Sequence, residues 1–240
     1  MRALAGRGAH VILGGRTLRK AQAAADALPH ELPTNLGNAN NLGFANFLDA
    51  PGRVSPVECA LGSVAEAAVC AAAVQSVLAA TQGTGTTARG GHAYGHQGEA
   101  LDGLVLNAGI AYSPDFATSA DGFEQTMGTK FVSQFHLTQL LLPRLLWKQA
   151  GAGDGGGGSA PVGTCNVGRV VVLSSLIANL GSVAALTDDD RLGMNWTTGA
   201  SMKFQRVRST GTWRPWLGGT MAYADSKLAA ALFARELHRT

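Results

Sequence analysis

Short, unbroken apolar runs alternate along this chain with longer alanine- and leucine-rich stretches. Ala9-His10-Val11-Ile12-Leu13, closed by Gly14-Gly15, predicts a strand; Val54 to Leu61, Leu104-Val105-Leu106 and Arg169-Val170-Val171-Val172-Leu173 predict three more. Helices are predicted over Leu18 to Leu28 and Val64 to Ala80, behind the capping residues Thr17 and Ser63. Two more are expected over Phe123 to Trp147, interrupted by Pro143, and over Ala222 to Arg239. Strands that alternate with helices imply right-handed crossovers and hence an α/β fold, a doubly wound parallel sheet. Continuously apolar strands predict burial on both faces of that sheet.

Four tracts break the pattern and read as loop insertions in one domain spanning 1–240. Those near 29–51, 81–98 and 151–163 are rich in Gly, Asn, Pro or Thr, bury little and keep high backbone entropy. The fourth, near 181–219, differs because it carries Trp196, Phe204, Trp213 and Trp216 and is expected to pack as a lid.

Composition narrows the function classes. The formal charge is +3, with 19 basic and 16 acidic residues scattered along the chain, which gives no support to nucleic-acid binding. No apolar run reaches the roughly 20 residues of a membrane span, and residues 1–8 form no signal peptide, so the chain reads as soluble and intracellular, cytoplasmic by default. Cys59, Cys70 and Cys165 lack a C-x-x-C pairing and are expected to be free, small apolar residues in a reducing compartment. His92 and His96 sit in a glycine-rich tract without acidic or Cys partners, so no metal site is expected.

Three segments carry candidate chemistry. In Met221-Ala222-Tyr223-Ala224-Asp225-Ser226-Lys227-Leu228, Tyr223 and Lys227 stand one helical turn apart on one face. An ammonium roughly 5 Å from a phenol, at an effective dielectric near 20, stabilises the phenolate by about 3 kcal/mol, which suits proton exchange with an alcohol or carbonyl. The spacing alone also fits an ordinary solvated pair. Gly168 to Ser175 is a strand ending in Ser174-Ser175, which places hydroxyls where open α/β sheets bind ligands, or simply caps a turn. In Leu101 to Ile110, Asn107 closes a strand and Ala108-Gly109 permit close approach by a ligand or backbone.

In this order and on these elements, the three segments resemble the short-chain dehydrogenase/reductase family, over essentially the whole chain outside the insertions. The wording Ala222-Tyr223, Ser226-Lys227-Leu228, Leu232-Phe233 and Arg235 to Arg239 is most similar to the retinol dehydrogenase, WW-domain oxidoreductase and protochlorophyllide reductase branch. The resemblance implies a Rossmann-like fold and an NADP(H)-dependent oxidoreductase acting on a carbonyl or alcohol, with a small, lipophilic substrate. Tyr223 would be the general acid/base, Lys227 its partner and a holder of the nicotinamide ribose, and Ser175 the group orienting the substrate carbonyl. Asn107, Ala108 and Gly109 would line the adenosine side of the cofactor. Arg16, after the first predicted strand, would favour the 2′-phosphate of NADP, with Arg19 or Lys20 assisting; a solvated turn arginine is the alternative.

The sequence departs from the family at several points. The family's opening strand and its T-G-x-x-x-G-I-G phosphate loop have no counterpart, nor do its last strands, so the chain reads as truncated at both ends and is expected to lack measurable NADPH affinity by itself. Loss of that central strand would leave two unpaired edges about 10 Å apart unless the sheet closes up. Lys130 stands where the family has a relay asparagine, and an ammonium cannot accept a hydrogen bond. Ala60 replaces an adenine-contacting aspartate. The alternatives are therefore a non-catalytic fragment or pseudoenzyme of the family, or a protochlorophyllide reductase-like enzyme, for which the 48 residues separating Ser175 and Tyr223 leave room. Substrate and oligomeric state, including a homo-oligomer, stay open.

Overall fold

The computed structural model describes residues 2–6, 9–27, 52–81, 100–110, 117–146, 168–181 and 215–239. The predicted insertions at 29–51, 81–98 and 151–163 fall almost wholly outside these residues, as do His92, His96, Cys165 and the lid aromatics Trp196, Phe204 and Trp213. The chain divides into two compact units, residues 1–60 with 69–99 and residues 61–68 with 100–240.

In the first unit, helix α1 (Arg2–Ala5) leads to strand β1 (Val11–Gly15), helix α2 (Leu18–Asp26) and strand β2 (Val54–Glu58). β1 and β2 pair in parallel with Val11 opposite Val54 and Gly15 opposite Glu58. Thr17 caps α2, its hydroxyl accepting from the Lys20 amide at 3.3 Å, so the strand–helix turn is as short as the sequence predicts. A β-carbon on Gly15 would come within 3.0 Å of Ala21 backbone atoms, so the end of β1 needs glycine where α2 packs on it.

Helix α3 (Val64–Ala80) has the predicted bounds. Ser63 Oγ accepts from the Glu66 amide at 3.1 Å, and the Glu66 carboxylate accepts from the Gly62 amide at 2.7 Å, a reciprocal cap.

One expectation is overturned here. Cys59 and Cys70 are joined by a disulfide, with Cα atoms 4.6 Å apart. Cys59 directly follows β2, and the helix carries Cys70 back to it across 11 residues. Only the folded path creates this proximity; the spacing is no recognised pairing signature.

In the second unit, β3 (Gly103–Leu106) and β4 (Arg169–Val172) form a parallel pair in register from Gly103–Arg169 to Leu106–Val172. The predicted helix over Phe123 to Trp147 is instead three pieces: α4 (Gln125–Met127), a π-helical turn (Gly128–Val132) and α5 (Ser133–Leu145). Glu124 starts it, its buried carboxylate accepting from the amides of Thr126 and Met127 at 3.0 and 2.8 Å. Pro143 does not break α5, because it lies in the last turn on the exposed side. Carbonyls freed at that end are used: Arg144 O accepts from the Leu101 amide and Leu145 O from the Gly168 amide, at 2.9 and 2.7 Å. The helix end thereby anchors the entries to both β3 and β4.

A 3-10 helix (Leu176–Leu180) follows β4, and the long helix α6 (Pro215–Arg239) begins seven residues before its predicted start. Leu106, Met127, Phe131, Val132, Ala229 and Phe233 form the core, with Leu104, Val170 and Val172 packed on it. Phe233 meets Phe131 and Phe135 edge-on at centroid separations of 6.4 and 5.2 Å. Burial of both sheet faces is not observed: Val105 and Val171, on the opposite face, are about half exposed. Within the described residues the parallel strands thus form two separate pairs, β1–β2 and β3–β4. The α/β class is as predicted.

Candidate active site

The carboxyl end of β3 and β4 receives α6. Two side chains make this join. Lys227 Nζ donates to the Leu173 carbonyl at 2.6 Å, and Ser174 Oγ donates to the Lys227 carbonyl at 2.9 Å. Lys227 is only 8% exposed, and burial lowers its pKa from the ordinary lysine value. Ser226 Oγ closes back on the Tyr223 carbonyl at 2.7 Å, which turns it into the helix and leaves the Tyr223 face free for the cleft.

Tyr223 lines a cavity of about 340 Å³ together with Asn107, Gly109, Ile110, Lys130, Ile177 and Thr220. Three of the predicted residues, Asn107, Gly109 and Tyr223, therefore share one pocket. Ala108 holds the loop's shape: its carbonyl accepts from Gln134 Nε2 at 2.6 Å. Lys227, one turn further along α6, is directed to the strand end. Ser175 is exposed at the start of the 3-10 helix, where its carbonyl accepts from the Ala178 amide at 3.0 Å, and it is not among the residues lining the cavity. Arg16 is exposed just after β1, in the first unit.

On the tyrosine face lies the residue the sequence marked as a departure. Lys130 Nζ lies 4.5 Å from the centroid of the Tyr223 ring, a cation–π contact. Its position comes from the π-helical turn that contains it, a distortion common at functional sites. Burial, and after it the charge of Lys227, push the Lys130 pKa down from 10.5 to about 8. A β-carbon at Gly109 would collide with Lys130 Nζ, so glycine at this position makes room for the ammonium. Sequence reasoning missed Gln134, although its place one turn after Lys130 on the same helix face was a usable signal. Ile110, Ile177 and Thr220 carried none.

No family model matches this sequence. Over 141 residues the chain is 35% identical to human retinol dehydrogenase 13, and over 136 residues 32% identical to mouse polyprenol dehydrogenase. These matches cover 59% and 57% of this chain but 30% of each relative, so the chain spans about a third of the length of the curated proteins it matches. A crystal structure of an uncharacterized protein from Mycobacterium paratuberculosis superposes with a TM-score of 0.54 at 26% identity, covering 99% of this chain and 55% of that one. The chain is thus similar to dehydrogenases of this kind over somewhat more than half its length, on a parallel α/β fold whose N-A-G loop faces a Tyr-x-x-x-Lys helix, the pattern that resembles the short-chain dehydrogenase/reductase family.

Proposed function

We propose that this chain carries the catalytic side of an NADP(H)-dependent oxidoreductase that interconverts a carbonyl and an alcohol on a small, lipophilic substrate, in the manner of the retinol dehydrogenases. One observation carries this reading: Tyr223 faces the same cavity as Asn107 and Gly109, at the carboxyl end of a parallel strand pair. Ligands of open α/β sheets bind at that edge.

The family implies a nicotinamide dinucleotide. Asn107 and Gly109 offer a side-chain amide and an unshielded backbone to one part of it. Arg16, exposed after β1 in the first unit, carries a guanidinium of the kind that selects a 2′-phosphate. The sequence contains no T-G-x-x-x-G-I-G loop for the pyrophosphate. When bound, the dinucleotide supplies or accepts the hydride.

The chain's own groups handle the proton and the fit. The Tyr223 hydroxyl exchanges a proton with the substrate oxygen. Lys227 also fixes α6 to the end of β4. Ser175 would orient the substrate oxygen. Because it stands outside the cavity wall, this role requires the Leu173–Leu176 segment to turn inward with ligand bound. Ile110 and Ile177 provide apolar surface for the substrate.

Because the chain by itself is expected to bind no NADPH, the proposal is tested on the chain extended upstream by a strand and a T-G-x-x-x-G-I-G loop, through turnover of NADPH with a panel of alkyl and polyene aldehydes and with Tyr223→Phe as the control. Activity lost by 10²–10⁴-fold in that variant is expected, the range typical of general acid/base removal. An extended wild-type chain that neither binds NADPH in calorimetric titration nor turns over any aldehyde would instead favour the non-catalytic reading. Lys130 at the relay position and the binding of Lys227 Nζ to Leu173 are the observations on that side.

A further inference from the structure

Lys130 is chemically unusual beyond any part in proton relay. Its Nζ rests on the face of Tyr223 and against Gly109, two walls of the same cavity, and no hydrogen-bond or ion-pair partner for it is found among the described residues. The remaining wall is mainly apolar, from Ile110 and Ile177, with Asn107 and Thr220 as neutral polar groups. A second ammonium, Lys227, acts on it electrostatically. A lysine set in a partly desolvated pocket beside another cation is the arrangement that frees an amine for nucleophilic attack on carbonyl carbon. Lys130 sits within the π-helical turn Gly128–Val132, a distortion common at functional sites.

We propose that Lys130 is a covalent capture site that binds small aldehydes or ketones reversibly as an imine in the cavity beside Tyr223. This goes beyond the hydride-transfer reading and does not depend on it. The neutral Nζ adds to the carbonyl carbon while the C=O π pair moves to oxygen, which takes a proton. Nitrogen gives up one proton to reach the carbinolamine. Loss of the hydroxyl as water and of the second nitrogen proton forms the C=N bond. The net change is one water released, with no oxidation or reduction. The lowered Lys130 pKa, about 8, supports this by leaving free amine near neutrality.

The test treats the full chain with hexanal and cyanoborohydride at neutral pH, without nicotinamide cofactor, and maps the modified lysines by peptide mass spectrometry. Reductive alkylation is expected at Lys130 on the order of tenfold faster than at exposed Lys20, and Lys130→Arg should remove that fast phase. Even labelling of Lys130 and Lys20 in the wild-type chain overturns the proposal, whether or not the arginine variant folds. Because no dinucleotide takes part, failure here leaves the dehydrogenase reading standing, and failed NADPH turnover leaves this one standing.

Discussion

Replacing Lys130 with methionine keeps the side-chain stem and removes the charge, which isolates the cost of holding an ammonium in the cleft. Burial and Lys227 lower the Lys130 pKa from 10.5 to about 8. At 1.36 kcal/mol per tenfold change this corresponds to about 3 kcal/mol of penalty on the charged form. The side chain is only half-buried, so solvent screening reduces the figure to about 1–2 kcal/mol, and the Tyr223 face returns roughly 0.5–1 kcal/mol of cation–π attraction. Lys130→Met should therefore stabilise the fold by about 1 kcal/mol at pH 7.

The sign of the pH dependence follows from the same shift. Below about pH 8 the lysine is protonated in folded and unfolded chains alike, and the fold bears the whole penalty. Between about 8 and 10.5 the unfolded chain holds more protons, so wild-type stability climbs with pH. The advantage of the methionine variant should fade over that window. Urea unfolding of both proteins from pH 6 to 10.5 measures it. A variant that is less stable at pH 7, with a difference unchanged by pH, would refute the claim that the ammonium is held under strain.

Other outcomes follow from the same structure. Cys70→Ser, which opens the Cys59–Cys70 bridge across 11 residues, should cost about 3 kcal/mol in urea unfolding, and reductant should cause the same loss in the wild type but none in the variant. Gln134→Leu leaves the Ala108 carbonyl without its 2.6 Å donor, so about 1–3 kcal/mol should be lost, and the Asn107–Gly109 loop should exchange its amide hydrogens faster. His10, paired with Ser55 at 2.9 Å, has its pKa lowered by burial and then by Arg53. The unfolded chain then binds more protons between that lowered value and 6.5, so stability rises with pH across the interval, and His10→Gln should flatten this part of the profile. Phe131→Ala empties the centre of the second unit's core and should cost about 3–5 kcal/mol by chemical denaturation.

Much of the architecture was legible in the sequence because it depends on local rules. Largely apolar runs of three to eight residues marked all four strands within two residues at their starts, and Thr17 and Ser63 marked their helices through hydroxyls that accept from amides three residues on. The order of the N-A-G loop, the strand-end serines and the Tyr-x-x-x-Lys helix was equally local, and it pointed to the family that the relatives support. Tertiary structure decided the rest. A disulfide depends on where α3 returns relative to β2, which no spacing encodes. Half-exposed Val105 and Val171 show that an apolar strand reports what it can bury, not which face is covered. Lys227 was expected beside the tyrosine ring; it binds the Leu173 carbonyl, while a π-helical turn lays Lys130 on that ring. Hydrogen-bond geometry between distant segments set those positions, and such geometry exists only after the chain has folded.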